Sequence, residues 1–357
     1  MRVGLVLGAG GVLGASWLIG ALDALESETG FSPADAELIL GTSAGSVVGA
    51  LAAEGIPPAY MSAYASGRAL DDAADSEGRA EALAERFEAL AESATDAAAR
   101  STGGEFRLHP ALPPIGPGSW RMALATLTQP TRHSPTALVG GWLPRGFIST
   151  RPISELVELF VDGAWPDHDG YRAIAADYRT GKRVVFGDPG APPARAGEAV
   201  AASCAIPAFY HPAKIGGRRY VDGGLCSMSN LDLACGRDLD LVVCLNPTSS
   251  RDSVPVRSPG DAVGAWVRSQ SGKRLGHEAR KLRAEGTEVV LLQPTRRDLK
   301  AMGNNLMSRA RRAQVGDTAV VTAALELRRL RSEGVTLPGR SRSAPKRGRR
   351  AAVRRAA

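Results

Sequence analysis

The sequence of 357 residues predicts an α/β fold of three layers, in which a mostly parallel sheet lies between two layers of helices. Two short predicted strands near the N-terminus, Val3 to Leu7 and Glu37 to Leu40, consist mainly of apolar residues and each end at a glycine, and an apolar pattern with helical spacing follows each one. A short apolar run that ends at glycine is typical of a buried strand. Two strand–glycine–helix units within 55 residues therefore favour parallel strands with covering helices.

The later part of the chain continues with the same kinds of element. The helix after the second strand is expected to extend to Glu54 and to stop at Gly55, since glycine is common just beyond a helix end. The remaining predicted elements are, in order, a helix that opens at Pro57 and Pro58, a helix from Thr150 to about Phe160, a hairpin of Tyr171 to Asp177 with Arg183 to Phe186, a helix from Glu198 to Cys204, a hairpin of Ala213 to Ile215 with Arg218 to Val221, a strand from Leu239 to Leu245, a basic helix over 259–284, a strand from Glu288 to Gln293 and a helix over 311–332.

We predict one folded domain over residues 1–333, interrupted by a helical or irregular cap insertion over 70–146. The first part of the insertion, 70–102, is rich in Ala, Glu and Asp and is interpreted as a surface insertion. Residues 103–146 are rich in Gly and Pro with scattered Trp and Leu, which favours a lid that faces lipid or substrate. Residues 334–357 are rich in Gly, Pro, Ser and Arg, so a disordered tail is expected.

The net charge of +7 comes from the C-terminal tail. Residues 340–357 carry eight Arg or Lys and no acidic residue, whereas residues 1–339 carry a net charge of −1. The folded domain therefore gives no reason to expect a specific nucleic-acid partner. Two interpretations of the tail stay open: a solvated disordered segment, or a contact with an anionic membrane surface, worth about 1 kcal/mol per basic residue near the lipid.

The four cysteines form no Cys-x-x-Cys pair and have no histidine at metal-ligand spacing. We expect reduced thiols in a cytoplasmic protein rather than disulfides or a metal site. The N-terminal apolar run is five residues long, far shorter than the core of a secretory signal, and no apolar stretch of the sequence is long enough to span a bilayer. Any membrane contact is therefore expected to be peripheral, at the inner membrane face.

A candidate nucleophile lies where the second predicted strand meets its helix. The pattern Gly-x-Ser-x-Gly over Gly41–Gly45 places Ser43 at the bend, where the glycines leave room for a strained turn and the hydroxyl stands clear of the sheet. Free N–H groups at the start of the helix that follows favour developing negative charge. A glycine-rich turn with a capping serine gives the same five residues, so the pattern predicts a nucleophile elbow only if its partners are present.

A glycine-rich loop, Gly8–Gly14, follows the first strand and has two interpretations. A dinucleotide-binding loop needs Gly-x-Gly-x-x-Gly, and with Gly8 and Gly10 as its first glycines the third position is occupied by Leu13. The other interpretation is an oxyanion loop, whose backbone N–H groups stabilise the tetrahedral intermediate of acyl transfer. The failed fingerprint favours the oxyanion loop.

A serine hydroxyl needs a neighbouring base to act as a nucleophile at neutral pH. Of the five histidines only His211 has a position that resembles a strand-end loop, whereas Asp222 follows a predicted strand on a Gly-Gly turn. If the strands that carry Ser43 and Asp222 are neighbours, their carboxyl ends meet at one edge of the sheet, and Asp222 can accept the Ser43 proton directly. An aspartate before two glycines is also a common turn residue.

Taken together, these motifs resemble those of the patatin-like phospholipase family over about residues 3–330. Gly8–Gly14 resembles the glycine-rich oxyanion loop of that family, and Gly41–Gly45 resembles its nucleophile motif. Ala202–Pro207, followed by Tyr220–Gly224, resembles its late Ala-Ser-x-Ala-x-Pro and Asp-Gly-Gly blocks. Each motif alone is a weak signal, but the set in this order is specific.

The resemblance implies hydrolysis of lipid or phospholipid acyl esters, of the phospholipase A or lysophospholipase type, through an acyl-enzyme and without a metal or organic cofactor. It implies a catalytic dyad in which Ser43 is the nucleophile and Asp222 accepts the proton. The family usually carries a basic residue where this chain has Leu13, which bears on the preference for phosphate headgroups. The remaining implied positions are the oxyanion donors Gly10, Gly11 and Ala44 and the motif glycines Gly8, Gly14, Gly41, Gly45, Gly223 and Gly224.

Two other functions stay open. One is an α/β-hydrolase esterase with a triad of Ser43, Asp222 and His277, although the elbow of that fold normally follows several strands and Ser43 follows the second. The other is a non-catalytic member of the fold that binds lipid or nucleotide. Hydrolysis of a short-chain p-nitrophenyl ester by the variants Ser43→Ala, Asp222→Asn and His277→Ala separates these functions.

Overall fold

The computed structural model describes residues 1–66, 142–252 and 259–339, together with Ser119 and Met122. Its strands are β1 (Val3–Leu7), β2 (Leu38–Thr42), β3 (Tyr171–Asp177), β4 (Arg183–Phe186), β5 (Ala213–Ile215), β6 (Arg218–Asp222), β7 (Leu241–Leu245) and β8 (Glu288–Leu292). Its α-helices are α1 (Gly11–Thr29), α2 (Ala44–Ala53), α3 (Pro58–Ser66), α4 (Arg151–Phe160), α5 (Ala196–Ser203), α6 (Pro259–Ala284), α7 (Arg296–Met302) and α8 (Arg312–Ser332). Short 3-10 turns span Pro33–Asp35, Gly223–Leu225 and Leu231–Ala234.

The strands form one mixed sheet in the order β5-β6-β3-β2-β1-β7-β8, with β4 also paired to β3. The pairs from β3 to β8 along this order are all parallel. The hairpin strands β4, β5 and β6 add antiparallel pairs next to β3. The two predicted hairpins account for the pairs β3–β4 and β5–β6, and the third antiparallel pair, β3–β6, joins one hairpin to the other.

Helices cover both faces of the sheet, as the predicted three-layer architecture requires. Strand residues alternate between the faces: Leu5 packs in the larger core with α1, α2, α4, α5 and α8, whereas Val6 packs in the second core with α6. Among the described helices, α1 and α8 share the most extensive contact. A Cβ at Gly20 would lie 2.4 Å from the carbonyl oxygen of Gly316, so glycine at that position lets the two helix backbones approach each other.

Most predicted elements are confirmed with shifts of one or two residues, and a few boundaries differ. α1 begins at Gly11, inside the glycine run that was expected to form a loop as far as Gly14. β2 extends to Thr42, so Ser43 follows the strand directly. The sequence pattern does not predict α7, whose start is a capping box formed by Thr295 and Asp298.

The predicted cap and tail fall largely outside the described residues. Within the cap, Ser119 donates a hydrogen bond from Oγ to the carbonyl of Tyr178 at 2.6 Å, and Met122 is buried against Val221 and its neighbours. The tail from residue 340 onward lies outside the described residues. In the described ranges, no helix combines the length and the hydropathy that crossing a membrane requires.

Candidate active site

The elbow at Ser43 is a sharp turn between β2 and α2. Ser43 lies between the last residue of β2 and the first residue of α2, with φ 53° and ψ −121°. A positive φ is strained for a residue with a side chain, at a cost of about 1–3 kcal/mol, and persists only where the surrounding structure enforces it. This is the strand–turn–helix geometry that the Gly-x-Ser-x-Gly pattern predicts.

Close packing around the elbow explains its two glycines. A Cβ at Gly45 would lie 2.0 Å from the carbonyl oxygen of Leu7 in β1. A Cβ at Gly41 would lie 2.5 Å from the carbonyl oxygen of Gly45. In both cases the obstacle is backbone, which cannot rotate away as a side chain can, so space rather than backbone conformation requires glycine here.

Gly45→Ala is therefore expected to destabilise the protein by about 3 kcal/mol, because β1 must move to admit the methyl group. Urea denaturation followed by circular dichroism measures the change. Gly276→Ala is the matched control, since a Cβ at that helical position meets only a flexible arginine tip at 3.7 Å. The control is expected to gain about 0.5–1 kcal/mol from helix propensity, and equal stability of the two variants would contradict the packing argument.

Ser203 ties the elbow to the neighbouring strand. Its hydroxyl accepts a hydrogen bond from the Ser43 N–H at 2.9 Å and donates one to the carbonyl of Ile174 in β3 at 2.6 Å. The side chain is fully buried, so both bonds form away from water, where they are stronger. The sequence places Ser203 in a motif but does not reveal that it positions Ser43.

Asp222 ends β6 beside the elbow. Thr42 of β2 pairs with Ile174 of β3, and Asp222 pairs with the next residue of β3, Ala175. The Ser43 side chain is close enough to Asp222 to act on the pKa of that carboxyl group. The structure therefore brings together the hydroxyl and the carboxylate that the sequence singles out.

The strand arrangement that brings Ser43 and Asp222 together differs from the hypothesis that their two strands are neighbours. β3 lies between β2 and β6 in the sheet, so the strands of Ser43 and Asp222 are not adjacent. β6 also runs antiparallel to β3, and it enters from the carboxyl edge of the parallel strands. Its last residue, rather than a shared strand direction, places the carboxylate next to the end of β2.

The environment of Asp222 suits a proton acceptor. Burial raises the pKa of Asp222 to about 6, and hydrogen bonds from the Ser43 side chain and the Gly224 N–H partly offset this rise. The Gly224 N–H donates to Oδ1 at 2.7 Å, which holds the carboxylate in place. A carboxylate with a raised pKa is a stronger base than a free one and is still ionised near neutral pH.

Two helices, α1 and α2, begin beside the cavity that Ser43 lines. Among the hydrogen bonds of the described residues, none uses the N–H of Gly10, Gly11 or Ala44. Gly11 and Ala44 line the same cavity as Ser43. The positive ends of the α1 and α2 dipoles favour negative charge at this point.

An apolar cavity of about 260 Å³ lies beside Ser43. Its volume is close to the lower end of ligand sites, about 300–1,000 Å³, and its wall suits a hydrocarbon chain. No carboxylate is among the described residues that line it. The apolar lining residues are Val12, Ala15, Ile19, Val47, Val48, Leu51, Met61, Ile153, Leu156, Phe160, Ile206 and Met307.

Cys204 also lines the cavity, with its Sγ 3.9 Å from the Ser46 hydroxyl. Burial raises the pKa of its thiol well above the usual range, and the charge on Asp222 adds to that effect. The thiolate is the nucleophilic form of cysteine, so a thiol held protonated is a poor nucleophile. All four cysteines of the chain are free thiols.

No histidine of the described ranges lines the cavity. His277, the candidate third member of a triad, is exposed on α6, which packs on β8 and the turn Leu231–Ala234. His168 lies at the amino ends of β2 and β3, where Nε2 is 2.8 Å from the carbonyl of Ala36. His109 and His133 lie outside the described residues.

A buried asparagine supports the loop that follows Asp222. Asn230 is fully buried, and its Nδ2 donates to the hydroxyl of Thr42 at 3.0 Å and to the carbonyl of Ser227 at 2.6 Å. Its Oδ1 accepts from Arg183, which also forms two hydrogen bonds with Asp232 at 2.7 and 2.8 Å. Asn230 thus connects the end of β2 with the loop after β6.

A buried carboxylate on α6 supports the same loop from outside. Glu278 is 1% exposed and accepts hydrogen bonds from the Ser229 hydroxyl at 2.7 Å and the Leu231 N–H at 3.1 Å. Arg274, one turn earlier, donates to its other oxygen at 2.7 Å. The sequence gives no signal for Glu278, because its helix is predicted only as basic.

A three-layer α/β fold with a serine at the sharp turn from a strand to a helix defines a class of proteins. Comparison with protein families shows to which family of that class the chain belongs. A sequence model described as patatin-like phospholipase matches residues 5–235, which is more than half of the chain. The chain belongs to the patatin-like phospholipase family, and the predicted resemblance and fold class are confirmed.

The family match ends before β7, so β7 to α8 lie beyond it. A search of curated proteins found no significant match. Membership supports a lipid acyl hydrolase activity at the level of the family.

Proposed function

We propose that this chain is a serine acyl hydrolase that cleaves lipid acyl esters, of the phospholipase A or lysophospholipase type, with Ser43 as nucleophile and Asp222 as base. The observation that carries the proposal is the buried Asp222 carboxylate, which interacts with the side chain of a serine on a strained turn beside an apolar cavity. Family membership supports the class of reaction, and the geometry supports the assignment of roles.

The reaction proceeds in two halves. Ser43 Oγ attacks the ester carbonyl carbon while Asp222 takes the hydroxyl proton, and the carbonyl electrons move to the oxygen. The tetrahedral intermediate then collapses, the bond to the alcohol breaks, and Asp222 returns the proton to the leaving alcohol. Water attacks the acyl-enzyme in the second half, again giving its proton to Asp222, and the fatty acid leaves as Ser43 regains a proton.

The negative oxygen of each intermediate is assigned to the N–H groups of Gly10, Gly11 and Ala44. These donors have no acceptor among the described residues, so they need not break a hydrogen bond when charge develops. Loss of one such donor typically costs about 10²–10³ in rate. Two helix N-termini at the same point add to the stabilisation.

The burial of Asp222 compensates for the weakness of a carboxylate as a base. At 5% exposure the charge has little water to stabilise it, so the carboxylate binds a proton more strongly than a free aspartate. The difference in pKa between the Ser43 hydroxyl and the Asp222 carboxyl is therefore smaller, which favours proton transfer. This supports a mechanism with two residues, which needs no histidine.

The alternatives fit the described geometry less well. A triad would require a histidine next to the carboxylate, and His277 is exposed on α6. A non-catalytic lipid-binding protein would use the cavity but has no need of the strain at Ser43 or of a buried carboxylate that interacts with the Ser43 side chain.

Covalent labelling tests the proposal. A fluorophosphonate with a long alkyl chain is expected to form one adduct per molecule, which peptide mapping places on Ser43, and the protein is expected to hydrolyse p-nitrophenyl esters. His277→Ala is the control and is expected to change neither labelling nor hydrolysis. Absence of both an adduct and hydrolysis of any acyl ester would support the non-catalytic alternative, and loss of activity in the control would support the triad.

A further inference from the structure

Three helices line the apolar cavity beside Ser43. Each contributes residues one turn apart: Ala15 and Ile19 from α1, Val47 and Leu51 from α2, and Leu156 and Phe160 from α4. Residues four positions apart lie above one another on the same face of a helix, so each helix presents a stripe of side chains to the cavity. The three stripes together form a groove, which we call the three-helix groove.

The three-helix groove begins at the candidate nucleophile. α1 starts at Gly11 and α2 starts at Ala44, directly after Ser43, and all three residues line the cavity. The two helices follow the adjacent parallel strands β1 and β2 and pack in the same core. Both helices therefore run from the Ser43 end toward the amino edge of the sheet.

The third helix starts at the same end. Ile153, near the start of α4, lines the cavity and packs against a cluster that contains Ala205. Ala205 follows closely after Ser203, whose hydroxyl accepts a hydrogen bond from the Ser43 N–H at 2.9 Å. Phe160, the last residue of α4, therefore lies at the end of the groove that is remote from Ser43.

The length of the groove follows from the geometry of these helices. The lining residues extend over 11–19 in α1, 44–51 in α2 and 153–160 in α4. At a rise of about 1.5 Å per residue, each stripe is about 11 Å long. Leu51 and Phe160, at the far end, are 7% and 1% exposed, so packed core lies behind them, and Ile19 is half-buried at the same depth on α1. A chain that enters at Ser43 therefore meets large side chains after about 11 Å.

Resting on the proposed function, we propose that the three-helix groove holds the acyl chain of the ester and that Ile19, Leu51 and Phe160 limit this chain to about eight to ten carbons. A saturated chain with its torsions near 180° extends by about 1.3 Å per carbon, so a groove of about 11 Å accommodates about eight carbons beyond the carbonyl carbon. The cavity volume of about 260 Å³ is also small for a ligand site, which usually measures about 300–1,000 Å³. Medium-chain acyl esters are therefore the substrate class.

The dependence of kcat/KM on chain length tests this limit. Among p-nitrophenyl esters with saturated chains of about 4 to 16 carbons, kcat/KM is expected to be highest at about eight to ten carbons and about 10-fold lower at sixteen. A kcat/KM that keeps rising to fourteen or sixteen carbons would overturn the inference.

Two variants at different depths locate the limit. Ile19→Phe narrows the far end and is expected to lower kcat/KM for the ten-carbon ester by about 10-fold and for the four-carbon ester by less than about twofold. Val47→Phe, one turn into α2, is expected to impose a shorter limit and to lower kcat/KM for the eight-carbon ester by about 10-fold as well. Leu159→Phe is the matched control, since this half-buried leucine of α4 lies outside the cavity lining, and it is expected to keep the native profile. A reduction by the same factor at every chain length overturns the inference, because a purely structural effect does not depend on the chain.

Equilibrium binding separates this inference from the proposed function. The full chain with Ser43→Ala is titrated calorimetrically with fatty acids of about 4 to 14 carbons, the products of the proposed reaction, each below its critical micelle concentration. Affinity is expected to rise about threefold per carbon up to about ten carbons and then to level off, and adding Ile19→Phe is expected to bring the plateau to about six to eight carbons. Affinity that still rises at fourteen carbons, or a lack of binding at every length, overturns the inference. A native chain that hydrolyses no ester, but whose Ser43→Ala form shows the plateau, contradicts only the proposed function.

Discussion

Ser43→Ala is expected to reduce ester hydrolysis by about 10⁶-fold, to a rate near that of the uncatalysed reaction. The substitution removes the atom that forms the acyl-enzyme, and the buried thiol of Cys204 is held protonated and is a poor replacement. Initial rates with p-nitrophenyl butyrate measure the loss, and intact mass spectrometry shows whether any acyl adduct still forms.

A second serine variant tests whether the loss is specific. Ser250 lies after β7, outside the cavity lining, and donates from Oγ to the carbonyl of Pro294 at 2.7 Å. Ser250→Ala is expected to retain the wild-type rate, with both variants keeping the wild-type circular dichroism spectrum. Undiminished hydrolysis by a folded Ser43→Ala protein would refute the assignment of the nucleophile.

Asp222→Asn is expected to lower kcat by about 10²–10⁴-fold, because the amide has the shape of the carboxylate but cannot take the Ser43 proton. The asparagine oxygen can still accept the hydrogen bond from the Gly224 N–H, which is 2.7 Å in the native site. A lower kcat therefore reflects the missing base rather than a collapse of the turn. A variant that keeps native activity would remove Asp222 from the mechanism.

The same substitution is expected to stabilise the fold at neutral pH. The pKa of Asp222 is about 6 in the folded chain against an ordinary value of 3.8, so the folded state favours the protonated form. The charge on Asp222 lowers the free energy of unfolding of the native chain. This cost is absent below pH 3.8, grows up to about pH 6, and is then constant at about 3 kcal/mol. Thermal denaturation from pH 4 to pH 8 should show the variant gaining over wild type as the pH rises.

The pH profile of the native enzyme gives the matching kinetic result. A base must be ionised to act, so kcat/KM is expected to rise with pH through an apparent pKa of about 6 and to level off above it. An activity that rises instead near the pKa of a surface group, or that is flat from pH 4 to pH 8, would contradict the role of Asp222.

The parts of the fold that the sequence predicted are those with a strong local pattern. β1 and the hairpin of β3 with β4 are confirmed with the predicted bounds, because continuous apolar runs end at clear turn residues. The elbow at Ser43 is likewise local, since its glycines and the adjoining helix pattern are contiguous in sequence. α7 is short and begins with a capping box that the apolar pattern does not indicate.

The parts that the sequence did not predict depend on contacts between distant residues. The position of β3 between β2 and β6 follows from how the sheet assembles, and no single segment encodes it. Ser203 and Glu278 act as buried hydrogen-bonding groups, which side-chain type alone does not distinguish from surface residues. Arg309 and Arg312 meet the cavity only because the segment before α8 folds onto the glycine-rich loop.

The register of β6 against β3 determines which face of the sheet Asp222 lies on. Thr42 pairs with Ile174 of β3, and Asp222 pairs with the next residue of β3, Ala175. These two β3 residues face opposite layers, because Ile174 packs in the second core and Ala175 packs in the larger core. A slip of β6 by a single residue would turn the carboxylate away from α1 and α2 and toward the layer that contains α6. Insertions or deletions within β6 should therefore inactivate the protein even where the chain still folds, whereas changes in length at the exposed Gly216–Gly217 turn leave the pairing intact.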